Sequence, residues 1–266
     1  MYMRILFSLF WVLIMSITDT YKFGDLLGKG GFGTVYNGLR KDENKEVIIK
    51  AVEKRNRGRN YLNEVYFLQK LKHLDTIVQI IEHFQALDMI YIVFEKADGM
   101  VDLFDFLCLH GRLSEMTAKI IFKQVLDATL VCVNEGVLHG DLKDENILIH
   151  EENLQIKLID FGTSLHIKKG FYTEYEGTNI YAPPEWKLKR KFTADGLNAW
   201  SLGVILYTML QGDIPYDESE NMWKLSLKWP VSEDATDLLK KLLKKNYKKR
   251  IALAKIKCQR WVKQDV

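Results

Sequence analysis

Apolar and polar positions alternate with strand character through TVYNGLR (Thr34–Arg40), give way to the polar KDEN, and resume in EVIIKAV (Glu46–Val52). Two extended runs joined by a short polar turn predict an antiparallel hairpin. Downstream, NYLNEVYFLQKLKHL (Asn60–Leu74) changes period, with apolar residues three and four apart around Glu64, which predicts an amphipathic helix. HGDLKDENILI (His139–Ile149) places a polar loop immediately before an apolar strand, and IKLIDFG (Ile156–Gly162) reads as an apolar strand ending in an acid and a glycine. Towards the C-terminus, DLLKKLLKKNYKKR alternates leucine pairs with lysine pairs, the pattern of a surface helix covering a core, with calmodulin or membrane binding as the alternative. At the other end, Ile5–Ile17 (ILFSLFWVLIMSI) follows Arg4 and looks like a signal-type segment or an N-terminal extension. It is too short to cross a bilayer comfortably.

Composition narrows the function classes only slightly. The 266 residues are 47% hydrophobic and 27% charged, ordinary for a folded chain. With 38 basic against 35 acidic residues the net charge is +3, which gives no case for nucleic acid. Cys108, Cys132 and Cys258 are far apart and form no metal-ligand spacing, so reduced thiols are expected.

Chemistry enters with LGKGGFGTVYNG (Leu27–Gly38), where Gly28, Gly30, Gly33 and Val35 form G-x-G-x-x-G-x-V. The same glycine spacing begins dinucleotide-binding turns, but those lead into a helix, whereas this one sits at a hairpin tip. Backbone N–H groups of such a tip approach phosphate oxygens where a side chain would obstruct. Lys50 ends the apolar run VIIK, and the helix around Glu64 is placed to present its carboxylate to that ammonium. In the polar loop, Asp141, Lys143 and Asn146 crowd a carboxylate, an ammonium and an amide into six positions; Asp160 opens DFG.

Taken together, from about Tyr21 onward, the glycine loop, Lys50, Glu64, HGDLKDEN, DFG and PPE resemble the eukaryotic protein kinases. VDLFDFL, GVLHGDLKDENILI, YEGTNIYAPPEW and GDIPY are similar to the Pim family of serine/threonine kinases. The resemblance implies an α+β two-lobed fold: a small antiparallel β-sheet lobe with one main helix over about residues 21–96, then a mainly helical lobe over about 97–263, preceded by the apolar segment 1–20. It implies ATP and Mg²⁺ as cofactors, with Mn²⁺ as an alternative ion, and γ-phosphoryl transfer to Ser or Thr of proteins. In that scheme Asp141 receives the substrate proton, Lys143 neutralises the moving phosphoryl group, and Asn146 and Asp160 ligate the metal. Nucleotide contacts fall to Leu27, Gly28, Lys29, Gly30, Gly31, Phe32, Gly33, Thr34 and Val35, with Lys50, Glu64, Glu95, Ala97 and Asp102. Asp102, Asp105, Asp144, Glu145, Thr178 and Asp213 are the candidates for binding a substrate with basic residues upstream of its target. Phe161 is expected to pack inward, and Glu185 to pair with Arg250 as a structural bond. A monomer is implied, cytoplasmic or also nuclear, with no nucleic-acid partner and no membrane role beyond the alternative carried by Ile5–Ile17.

Three departures modify this expectation. Gly140 replaces the arginine that in most kinases receives a phosphate of the activation segment, so the segment carrying Thr163, Ser164, Tyr172, Thr173 and Tyr175 is expected to be held without phosphorylation. Its added backbone freedom also suggests a looser, slower catalytic loop. Ala97 stands where the Pim pattern has proline and so keeps an N–H for adenine, beside Phe94 as gatekeeper. Asn198 replaces an aspartate and is expected to accept hydrogen bonds from the catalytic-loop backbone. The rival reading is a weakly active or inactive pseudokinase that binds nucleotide and acts as a scaffold.

Overall fold

The computed structural model describes residues 17–31, 33–54, 62–86, 88–217 and 222–264. Ile5–Ser16 and Phe32 lie outside them. The described residues form two compact units, one lying within 17–73 and 78–98, the other within 74–77 and 99–264.

The first unit is a five-stranded antiparallel sheet with one flanking helix. A short turn of helix, α1 (Ile17–Thr20), leads into β1 (Tyr21–Gly30), β2 (Gly33–Arg40) and β3 (Lys45–Glu53); then follow α2 (Leu62–Lys70), β4 (Ile80–Gln85) and β5 (Met89–Glu95). Strand order is β1-β2-β3-β5-β4. The expected hairpin is β2–β3, and its register sets Val35 opposite Lys50. Alternation along the strands buries Tyr21, Val47, Ile49 and Val93 with Ile17 in one cluster, which fixes the register because a slip of one residue would turn these side chains to water. The helix anticipated over Asn60–Leu74 ends at Lys70 and buries Glu64, Val65, Phe67 and Leu68.

The second unit is mainly helical. It runs β6 (Met100–Asp102), α3 (Leu103–His110), α4 (Glu115–Asn134), β7 (Val137–Leu138), β8 (Ile147–His150), β9 (Ile156–Leu158), β10 (Leu165–His166), α5 (Pro184–Lys189) and α6 (Ala194–Gln211). After these come β11 (Tyr216–Asp217), β12 (Met222–Trp223), α7 (Glu233–Leu242), α8 (Leu253–Ile256) and α9 (Arg260–Lys263). Ser114, Thr193 and Ser232 cap α4, α6 and α7, each accepting a backbone N–H three residues on. Residues 196–211 of α6 are all buried, which makes it the central post of the unit. The leucines of the Leu/Lys tract, Leu238, Leu239 and Leu242, are fully buried while Lys240 and Lys241 face out, so α7 is a core-covering surface helix. Cys132 is buried, which pushes its thiol up to about 12 and leaves it unreactive; Cys108 and Cys258 are exposed. Among the described residues no helix is long and apolar enough to cross a membrane.

Candidate active site

In the first unit the glycine-rich tip continues the β1–β2 ladder to the pair Gly30–Gly33. Of the glycines at this tip only Gly33 is demanded by the fold: its φ is +126°, and a Cβ there would lie 2.6 Å from the carbonyl oxygen of Ala51. Gly28, Gly30 and Gly31 have nothing within 4 Å of an added Cβ, so packing does not account for them and the open backbone they leave suits a ligand. Lys50 Nζ donates to both oxygens of Glu64, at 2.8 and 3.0 Å, and both residues are buried. Removing one partner of such a pair strands the other charge, at a cost of about 3–5 kcal/mol. Glu95 Oε1 accepts from the N–H of Gln79 at 3.1 Å. Phe94 is buried and Ala97 is half-buried.

In the second unit the catalytic-loop candidates converge. Asp141 is 2% exposed. Its Oδ1 accepts the N–H of Thr178 at 2.7 Å, and its Oδ2 accepts Thr178 Oγ1 at 3.0 Å. Asn146 Nδ2 donates to the carbonyl of Asp141 at 2.7 Å and, less closely, to Oδ2 at 3.4 Å. That bond engages the Nδ2 end of the amide and leaves Oδ1, a hard oxygen, as the end whose chemistry suits a cation. Ile159 N–H donates to the Asn146 carbonyl at 3.1 Å, which brings Asp160 up beside Asn146. Asp160 sits in the left-handed region at φ +59° and accepts from the Gly162 N–H at 3.4 Å. Phe161 is fully buried edge-on to His139 at 4.7 Å. Lys143 Nζ lies 4.0 Å from Asp141 Oδ2 but 2.5 Å from Glu145 Oε2, so in this state its charge rests on Glu145.

The candidate substrate acids separate by burial. Asp105 is exposed, and Asp213 is exposed and paired with Lys228 at 2.8 Å, whose hydrogen bond holds the carboxyl below its usual range. Asp102 caps α3 by accepting the Asp105 N–H at 2.8 Å, and its partial burial raises its pKa. Asp144 is 4% exposed, accepts the Tyr181 hydroxyl at 2.8 Å, and is likewise raised by burial. Its carboxylate therefore braces Tyr181 in the segment after Thr178 and does not face outward to a peptide. Sequence reading missed Tyr181 although it lies within the quoted YEGTNIYAPPEW; an aromatic hydroxyl gives no sign of a partner 37 positions away.

Gly140 has a φ of +88°, and a Cβ on it would stand 2.4 Å from the carbonyl oxygen of Thr163. Gly177 in turn leaves room for the Gly140 carbonyl, which an added Cβ would approach to 2.6 Å. The expectation of a loosened loop is thus replaced by that of a pinned one. Thr163 and Ser164 hydroxyls both donate to the His139 carbonyl at 3.1 Å, and Asp141 N–H reaches His139 Nδ1 at 3.3 Å. That imidazole nitrogen takes the role expected of Asn198. Asn198 is buried, its Nδ2 has no partner, and its side chain makes no hydrogen bond to the catalytic loop among the described residues. We expect Gly140→Ala, and equally Gly140→Arg, to destabilise this unit by about 1–3 kcal/mol through left-handed strain and to lower kcat at least tenfold, read by thermal denaturation and steady-state kinetics. An arginine variant with raised activity would contradict the packing described.

The last expected pair ties α5 to the segment after α7. Arg250 Nη1 and Nη2 donate to the two oxygens of Glu185 at 2.7 and 2.8 Å, with both side chains buried.

With this geometry in place, comparison with known proteins identifies the class: the chain matches the protein kinase domain family over residues 21–262 and belongs to that family. It falls in the serine/threonine branch, as an ATP-dependent phosphotransferase of the Pim-like type. It is 37% identical over 266 residues to the serine/threonine-protein kinase pim-2 of Danio rerio, an alignment covering 92% of this chain and 85% of that one. It is 34% identical over 258 residues to the serine/threonine-protein kinase prk-2 of Caenorhabditis elegans, covering 92% and 58% respectively. The PAS domain-containing serine/threonine-protein kinase of Mus musculus is 35% identical over 263 residues, covering 92% of this chain and 19% of that one.

Proposed function

We propose that this chain is a catalytically competent serine/threonine kinase that phosphorylates proteins carrying basic residues before the target, without needing a phosphate on its own activation segment. The observation that carries the reading is the carboxylate of Asp141, fixed by the backbone and hydroxyl of Thr178 with Asn146 beside it. A carboxylate offers about four acceptor positions, and three are in use, so an incoming alcohol has one left without dismantling the support. Asp141 then takes the proton of the substrate hydroxyl as that oxygen bonds to the γ-phosphorus and the bond from the γ-phosphorus to the β,γ-bridging oxygen breaks, ADP leaving with that electron pair. Lys143, swinging from Glu145, follows the charge of the transferred group. Lys50, held by Glu64, and the open backbone of Gly28, Gly30 and Gly31 suit the nucleotide's phosphates. Asn146 and Asp160 supply the oxygen donors Mg²⁺ prefers, and that ion, when bound, neutralises phosphate charge.

Independence from phosphorylation is supported by where four of the five activation-segment hydroxyls lie, the fifth, Thr173, being exposed. Thr163 and Ser164 are buried against His139, and Tyr172 and Tyr175 are packed in an aromatic cluster with Phe192 and Trp186. Burial raises the pKa of both tyrosines. The exposed Asp105, Glu145 and Asp213 and the partly buried cap Asp102 are the carboxylates for a basic substrate, Glu145 and Asp213 by exchanging their lysine partners; several exposed pairs together favour it by roughly 1–3 kcal/mol, each contributing up to about 1.

The test is transfer of labelled phosphate to an arginine-rich Ser peptide and to the same peptide with its arginines replaced by alanine, before and after phosphatase treatment of the enzyme. We expect transfer, a kcat/KM preference of about 5–150-fold for the basic peptide, and less than a tenfold change after phosphatase. ATP binding without transfer would select the scaffold reading instead.

A further inference from the structure

Three stretches of the second unit that are distant in sequence each carry as many cations as anions or more, and together they outweigh the chain's whole net charge. Residues 168–176, 184–195 and 244–250 contain eleven Lys and Arg but four Asp and Glu, an excess of seven in a chain whose total is +3. Ring contacts bring them together. Phe171 meets Tyr247 edge-on at 6.0 Å, Lys191 Nζ lies 4.7 Å over the Phe171 ring, and the backbones of Tyr172 and Phe192 exchange hydrogen bonds at 2.8 and 3.1 Å. Lys248 and Lys249 follow Tyr247 in a turn of 3₁₀ helix, while Lys168 covers Tyr172 at 4.7 Å. Of the four acids, Glu185 is consumed by Arg250 and Asp195 already accepts the Leu253 N–H at 2.9 Å, while Glu174 and Glu176 are exposed. Among the described residues, Lys168, Lys169, Lys189, Lys191, Lys248 and Lys249 have no carboxylate at ion-pairing distance. The leucines of the neighbouring Leu/Lys tract are spent in the core, so these cations are not the polar side of an apolar anchor.

The face is also tied to the reaction centre. Tyr175 donates to the Thr178 carbonyl at 3.2 Å, its ring packs on Trp186 at 5.8 Å, and the Arg190 guanidinium lies 5.5 Å over that indole. Two aromatic side chains therefore separate Arg190 from the residue that holds Asp141.

We propose that this face docks an acidic tract of the protein substrate, so that substrates are bipartite: a basic stretch at the phosphoacceptor and a Glu/Asp-rich tract some residues away. The proposal deepens the kinase reading and rests on it. An acidic protein segment is the occupant that charge complementarity selects; Phe171, 39% exposed beneath Lys191 and beside Tyr247, and Leu188, 80% exposed, are the large apolar side chains open on these stretches, and the vesicle arm of the test below separates a lipid surface from a protein tract. Charge complementarity of this kind acts on encounter and retention, not on the chemical step.

The experiment uses the full chain with a basic Ser peptide extended by a ten-residue Gly/Ser spacer, a reach of about 35 Å, and then either six glutamates or six glutamines. We expect the glutamate tract to lower KM about tenfold with kcat unchanged, an advantage that shrinks as salt is raised. Combining Lys169→Glu, Lys189→Glu, Lys248→Glu and Lys249→Glu should abolish the advantage and leave kcat/KM for the glutamine peptide as it was. Fluorescence anisotropy of the labelled glutamate peptide reads the same docking without turnover, so loss of activity on both peptides would strike the kinase reading while leaving docking measurable. Equal binding of the two tracts, or glutamate preference surviving in the variant, overturns the proposal; so does capture of the chain by phosphatidylserine vesicles combined with indifference to the tract.

Discussion

Asp141→Asn is expected to lower kcat for peptide phosphorylation by roughly 10²–10⁴-fold, the range for losing a positioned general base, with little change in melting temperature. The two outcomes separate because the substitution preserves shape but not charge. Its Oδ1 can still accept the Thr178 N–H now bonded at 2.7 Å. At the other position an NH₂ replaces an acceptor, and Thr178 Oγ1, at 3.0 Å, can rotate its hydroxyl to receive it. The 3.4 Å approach of Asn146 Nδ2 becomes donor against donor and Lys143 loses the charge 4.0 Å away, but Asn146 keeps its stronger bond to the Asp141 carbonyl at 2.7 Å and Lys143 its bond to Glu145. The local network thus survives while the proton acceptor is lost. Steady-state kinetics with ATP binding measured in parallel checks this; a fall of less than tenfold would remove Asp141 from the chemistry.

What the sequence made legible follows the range of the interaction. The β2–β3 hairpin and α2 are local patterns, so the meeting of Lys50 with Glu64, fourteen positions apart, is readable from periodicity once the helix is seen to turn Glu64 inward. The Glu185–Arg250 pair spans 65 positions, and no periodicity connects them; the kinase resemblance alone supplied it. Burial of single polar side chains was the least readable quantity. Asp144 sits beside Glu145 in the same DEN turn, yet one points to Tyr181 inside and the other lies exposed with Lys143. A 3₁₀ turn sends adjacent side chains in different directions, and composition cannot say which one faces in. Gly140 was recognised as a departure, but its effect depends on the Thr163 carbonyl standing 2.4 Å from where a Cβ would be, a contact across 23 positions. With that contact known, the glycine constrains the loop by shape where an arginine would have constrained it through charge.

The largest stability effect is expected at the bond farthest from the chemistry. Arg250→Ala should destabilise the helical unit by about 3–5 kcal/mol, the usual cost of stranding one member of a buried ion pair, with the melting temperature falling by roughly 10 °C. Glu185 is 3% exposed and has both carboxylate oxygens on Arg250, so water cannot replace what is removed. The guanidinium also donates to the carbonyls of Gly196 and Lys244, at 2.7 and 3.0 Å, and lies 4.9 Å over the Trp200 ring, tying α5, α6 and the segment after α7 at one point. Gly196 is part of the same fit, because a Cβ there would come within 3.1 Å of Glu185 Oε1. Pairing Arg250→Met with Glu185→Leu discriminates charge burial from packing. The double variant loses the guanidinium's bonds to the Gly196 and Lys244 carbonyls but leaves no uncompensated carboxylate, and should recover at least about 1 kcal/mol relative to Arg250→Ala. Because α5 follows the segment that carries Thr178, the single variant should also lose kcat, and the double variant should regain part of it. If instead the double variant is the less stable of the two, the guanidinium's bonds to backbone outweigh its bond to Glu185, and the ion pair is not what holds the activation segment to α6.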